Sequence, residues 1–181
     1  MNPRFAPLVA GLHLAALAFA LAPPVFFAAA VAPAVFQVVP TKDMAGALVS
    51  PVLSRMCGFA EASFLVLFAT SWLLTRGAPK GTRALLTRLP VLGFFAALVI
   101  RQLLIPPMDR IRAEAPGLID NLPAADPSRI LLDRYHHLAT GFFSLEIAAA
   151  LIILLATARL WSQRRDAPRA AVAAPKVLNL E

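Results

Sequence analysis

The chain has 181 residues, 59% of them hydrophobic and only 15% charged, against roughly 25% charged residues in soluble domains, and its mean hydropathy is +0.72. That composition excludes an ordinary soluble domain and indicates a membrane protein with room for one compact bundle. The net charge is +7, but the basic residues gather at the ends of apolar runs, not in a patch interleaved with aromatics, so no nucleic-acid partner is expected; the single cysteine, Cys57, excludes an internal disulfide and a cysteine-only metal centre.

The first apolar run, residues 5–37, begins after Arg4 and passes a small-residue pattern at Ala20 to Ala22 that imitates a signal-peptidase site. Pro23 would follow that cut and the apolar run resumes at once, so the segment reads as a retained first helix. Pro23 and Pro24 remove two backbone donors from its interior, which predicts a kink or a surface-lying first segment. Residues 40–56 read as a connector broken by Pro40, Gly46 and Pro51, with its second half able to join the next helix. The second helix is expected over residues 51–75, with Trp72 as an interfacial anchor. A basic linker carrying Arg76, Lys80, Arg83 and Arg88 follows, and the third helix is expected over residues 89–108, ended by Pro106 and Pro107. After a polar connector, Asp126 and Pro127 supply start signals for a fourth helix over residues 127–161, long enough to cross a hydrocarbon core of about 30 Å.

The predicted fold is therefore all-α: a polytopic membrane protein with four transmembrane helices in an up-down bundle over residues 1–161. A basic, disordered cytoplasmic tail is expected over residues 162–181. Four crossings put both termini and the second connector on one side. That side holds ten of the seventeen Lys and Arg residues, which predicts an inner (plasma) membrane protein with both termini in the cytoplasm.

Three ionisable residues fall near mid-membrane: Glu61, Arg101 and Glu146. Each would cost roughly 2.5 to 3.5 kcal/mol at the centre of a span, or about 8 to 10 for three unpaired groups, so mutual pairing is expected. Arg101 should lie within hydrogen-bonding reach of Glu61 or Glu146. Two acids and one base leave one carboxyl over, and such a group could bind a proton or a small cation. Two readings stand side by side: a ligand- or ion-binding network, and a packing device in which Arg101 either fixes helix pairing or snorkels to the interface.

Nearer the other surface, His136, His137, Thr140 and Ser144 fall within about 100° of arc on the fourth helix, and Ser54, Cys57 and Glu61 share a face of the second. If the stripes met, His136, His137 and Cys57 could ligate a metal, whereas hydrogen bonding to the connector or to lipid phosphate is the ordinary use of such histidines. Glu146 points roughly 135° away from the histidine stripe, which separates it from any such site. His13 lies near the cytoplasmic end of the first helix, too far from His136 for the two to hold a haem. No cofactor is predicted.

Several short segments carry a resemblance: Val31-Ala32-Pro33 with Phe36, Met44-Ala45-Gly46, Ile105 to Arg112 (IPPMDRIR), and Arg134-Tyr135-His136 with Leu138-Ala139. In this order they resemble the family of small four-helix membrane proteins that includes transmembrane protein 205 and a bacterial domain of unknown function, over about Ala22 to Trp161. Ala22 and Pro23 stand where the family usually has glycines. The resemblance implies an integral membrane protein without an established activity and favours His136 over His137 as the residue with a role. The residues support a small-ligand or ion-binding, transport-associated protein; the alternatives are a structural or partner subunit of a membrane complex and a metal- or haem-binding redox protein. The expected partners are the lipid bilayer and, because four helices alone make a poor path, a second copy or another membrane protein. No nucleophile and base stand at a spacing that suggests an enzyme.

Overall fold

The computed structural model describes residues 4–173, with side chains described to residue 163. Among these residues there is no strand, and four helices are long and apolar enough to cross a membrane: α1 (Ala6–Val38), α2 (Lys42–Leu74), α3 (Lys80–Glu114) and α4 (Pro127–Ala173, with its span over Pro127–Gln163). They form an antiparallel ring in which each helix packs against its sequence neighbour and α1 closes against α4. The connectors 39–41 and 115–126 lie at one end, the loop end; the start of α1, the 75–79 connector and the end of the α4 span lie at the other, the terminal end. Large apolar side chains cover the outside, among them Phe26, Phe59, Leu103 and Leu155. Water would not tolerate that surface; lipid does.

The helices are longer than the sequence signals indicate, and the reasons are local. α2 starts at Lys42 because Thr41 caps it, its side chain accepting from the Met44 N–H at 3.2 Å, while Asp120 accepts from the Lys42 N–H at 2.7 Å. Gly46 and Pro51 are then carried inside the helix. α3 starts at Lys80 directly after Pro79. Pro106 and Pro107 do not end it: a π-turn over Ile100–Leu104 precedes them, the Ile105 N–H reaches back to the Ile100 carbonyl, and the prolines occupy the first positions of the renewed α-helix, where no donor is needed. In α1 the proline pair is likewise absorbed. Pro23 and Pro24 lie within one continuous helix, a π-turn over Phe27–Val31 follows, and Pro33 opens the last α-helical stretch. The helix packs along its length against α2 and α4 as one side of the ring. α4 continues beyond Trp161 to Ala173, where a disordered tail was expected; residues 174–181 of that tail lie outside the described residues.

Packing is close because the facing residues are small. Ala16, Ala20, Ala60, Ala96, Ala97, Ala149 and Ala150 are all buried, and the Phe64 ring lies so tightly over Gly93 that a Cβ there would overlap it. Near the terminal end, buried His13 ties three helices together. Its Nδ1 is 2.9 Å from Thr70 Oγ1 on α2 and its Nε2 is 3.1 Å from Thr157 Oγ1 on α4. Thr70 already donates to the Val66 carbonyl at 2.7 Å. It therefore accepts from Nδ1–H, and Nε2 accepts from the Thr157 hydroxyl. At the same end Arg76 stacks 4.4 Å over the Trp72 ring, which anchors α2 at an interface.

Two substitutions test this packing. His13→Ala removes the clasp and leaves two threonine hydroxyls facing a void, so unfolding in detergent should shift down by about 1 to 3 kcal/mol; an unchanged melting curve would show that His13 does not hold the three helices. Gly93→Ala should cost a similar ~1 to 3 kcal/mol by overpacking against Phe64, checked in the same assay.

Candidate functional site

The π-turn of α3 does more than accommodate prolines. It carries Arg101, which donates from Nε to Glu61 Oε1 at 2.8 Å and from Nη2 to Glu61 Oε2 at 2.7 Å, a two-pronged pair between α2 and α3. The guanidinium passes over Gly58, where a Cβ would sit 3.4 Å from Nη1. The Glu61 side chain is 10% exposed and that of Arg101 34%. The pairing expected from the sequence is therefore made with Glu61, and Arg101 does not snorkel away from it.

Glu146 is the third member and it is differently placed. It is buried in α4, at 1% exposure, and its Oε2 has no hydrogen-bond partner. It lies within electrostatic range of Glu61, and buried Cys57 lies within range of Glu146, Glu61 and Arg101. The result is a polar island in the bundle interior: one matched ion pair, one carboxyl left over, and one thiol. Such an arrangement can take up a proton or a small cation at Glu146 without breaking the pair.

A second feature opens at the loop end. A cavity of about 250 Å³ lies between all four helices. Its loop-end level carries Arg112 and His136 and its deepest level is apolar, with Ser50 and Thr140 between them and an α1 wall that is apolar throughout. On α4 the order is His136, Ala139, Thr140, Phe143; on α2 it is Gly46, Val49, Ser50, Leu53; on α3 it is Arg112, Met108, Ile105. On α1, Phe36 lies at the loop end and Phe27 at the bottom, where it meets Phe143 edge to face at 6.1 Å. Two helical turns separate the ends of these rows, a depth of about 10 Å.

Arg112 shapes the upper end. Its Nη1 donates to Asp109 Oδ1 at 3.1 Å, and Asp109 Oδ2 accepts from the Ser50 hydroxyl at 2.8 Å, which locks α3 to α2. The guanidinium crosses α2 at Gly46, where a Cβ would stand 2.7 Å from Nη2. Its Nε is buried and without a partner. Above this, a further space of about 230 Å³ shares Phe36, Gly46, Arg112 and His136 with the cavity and is edged by Lys42, Asp43, Asp120, Arg129 and Asp133. Two of these acids hold the connector in place by reciprocal capping. Asp120 accepts from the Lys42 and Asp43 N–H groups, and Asp43 accepts from those of Ile119 and Asp120.

The candidate residues thus divide between two places. Glu61, Arg101, Glu146 and Cys57 share the interior island, whereas His136 borders the loop-end cavity. His137, 6.1 Å from His136 between ring centroids, is exposed. The metal set His136, His137 and Cys57 is not assembled: among the described residues no group of three His, Cys, Asp or Glu side chains stands where it could hold a metal. The reason is depth, since Cys57 lies about three turns further into the bundle than Gly46, the α2 residue at the level of His136. Thr140 and Ser144 direct their hydroxyls to the backbone carbonyls of His136 and Thr140. The sequence reading passed over Arg112, Asp109 and Ser50, which looked like ordinary charges and a serine near a connector. Their signal was the glycine at position 46, four residues before Ser50. Comparison with protein-family models, with curated proteins and with solved structures finds no match to this chain.

Proposed function

We propose that this chain is a small-ligand or ion-binding, transport-associated protein of the inner (plasma) membrane, with both termini in the cytoplasm. The observation that carries the reading is the buried, unpartnered Oε2 of Glu146 beside the matched Arg101–Glu61 pair. A network that served packing alone would be complete with the pair; the additional carboxyl in the interior costs several kcal/mol unless it is occupied. The bound species at this point is a proton or a small cation, and a continuous path across the membrane would require a second copy or another membrane protein. Orientation rests on the excess of Lys and Arg at the terminal end. We further propose membership of the transmembrane-protein-205-like family, because Gly46, Ile105, Met108, Arg112, His136 and Ala139, drawn from the segments that carry the resemblance, meet around one cavity.

The competing reading, a structural subunit, is favoured by the completeness of the Arg101–Glu61 pair. Charge-neutral substitution separates the two. In liposomes containing the full chain, proton or sodium uptake above that of empty vesicles should fall at least about tenfold in Glu146→Gln. The same substitution should leave the melting temperature unchanged or raised, because it removes an unpartnered carboxyl from the interior. Arg101→Gln, which strands Glu61, should instead cost about 3 to 5 kcal/mol of stability. No uptake by the native protein, or a Glu146→Gln protein that melts early, would favour the structural reading.

A further inference from the structure

The loop-end cavity is separate from the interior island, and its chemistry points to a different ligand. We infer that it binds a single-chain amphiphile with an anionic head, the head at Arg112 and His136 and the chain directed down toward Phe27 and Phe143. Three observations carry this. The first is the polarity gradient: Arg112 on α3 and His136 on α4 stand at the loop end, whereas Phe27, Leu53, Ile105 and Phe143 close the bottom, a shape that suits a molecule polar at one end only.

The second is the state of Arg112. Asp109 occupies one edge of the guanidinium through Nη1, while the buried Nε has no acceptor. The guanidinium lines the cavity with one edge held by Asp109, and a carboxylate or phosphate oxygen supplied by a ligand would pair with its charge. No acidic side chain lines the cavity, whose polar groups are Ser50, Arg112, His136 and Thr140. Asp109 stands behind Arg112, bordering a different space on the far side of the guanidinium. Among the described residues, Arg112 is therefore the one charged side chain that lines the cavity.

The third is size and placement. A volume of about 250 Å³ corresponds to roughly eight groups of the size of a water molecule at ~30 Å³ each, enough for one alkyl chain and too little for two. Phe36, Ala28 and Thr140 on its rim are exposed, so the cavity communicates with the outside of the bundle. Lys42, Asp43, Arg112, Asp120, Arg129 and Asp133 gather at its upper edge, which sets that edge at the level of lipid head groups. An amphiphile entering from the bilayer arrives in the required orientation.

The head could belong to a free fatty acid or to a lysophospholipid, and the chemistry is shared. Native mass spectrometry of the full chain in a neutral sugar detergent, titrated with dodecanoate, lysophosphatidate and dodecanol, tests the inference and distinguishes the sources. One bound dodecanoate or lysophosphatidate per chain, with dodecanol at least about tenfold weaker, is the expected result; binding of lysophosphatidate alone would assign the head to a lipid phosphate. Arg112→Gln should weaken the anionic ligands by a similar factor of about ten and leave dodecanol unaffected. Gly46→Ala, which pushes the guanidinium aside without removing its charge, should weaken them as well. Melting curves of both variants establish that they are folded. Equal retention of dodecanol and dodecanoate by the native chain would overturn the inference, as would undiminished binding by a folded Arg112→Gln protein. Should neither variant fold, the contrast between dodecanoate and dodecanol on the native chain decides alone.

Discussion

The pairing of Arg101 with Glu61 is the interaction around which the bundle is arranged. A hydrocarbon interior offers no water to a charge, so a guanidinium there must find its acceptors within the protein. The two-pronged geometry, at 2.7 and 2.8 Å, fixes the height and rotation of α3 against α2, because a carboxylate in the plane of the guanidinium tolerates little slippage. Gly58 lets the side chain pass. The π-turn over Ile100–Leu104 holds Arg101 and at the same time absorbs the donors missing from Pro106 and Pro107. One irregularity thus serves both the ion pair and the continuity of the helix.

Polar contacts recur at three levels along the bundle and between them tie all four helices together. His13 links α1 to α2 and α4 near the terminal end. Arg101 and Glu61 join α2 and α3 in the interior. Ser50, Asp109 and Arg112 join the same two helices again at the loop end. Alkyl packing between helices discriminates weakly in a solvent that is itself alkyl, so these contacts, together with the close approach at Gly93 and the buried alanines, select one arrangement from many. The connector 115–126 is secured by capping of the same economical kind, with Asp43 and Asp120 each satisfying the other's backbone.

Against this background of satisfied groups, two of the three unpartnered buried polar atoms among the described residues belong to ionisable side chains, the third being Ser71 Oγ. Glu146 Oε2 and Arg112 Nε are both buried and both lack partners. Each sits beside a carboxylate–guanidinium contact that would be adequate for packing by itself. Departures from local satisfaction are the expected mark of sites that hold something else. They differ in character: the carboxyl is enclosed in the bundle interior, whereas the guanidinium lines the loop-end cavity.

Much of this architecture was legible in the chain. Four long apolar runs, their charged ends and the three interior charges follow from composition and spacing, because the thickness of a bilayer and the cost of burying charge leave few alternatives. Helix lengths were less legible. Gly46, Pro51, Pro106 and Pro107 read as breakers by local propensity, yet caps at Thr41 and Asp120 and a π-turn before the prolines carry the helices through. Which carboxylate met Arg101 was beyond the sequence, since Glu61 and Glu146 have equal claim by depth and only the rotation of each helix decides between them. The clasp at His13 and the cavity below Arg112 belong to the same class. Their residues are scattered over three or four helices with no shared spacing, and a contact between distant segments exists only once the helices have chosen their neighbours, their heights and their rotations.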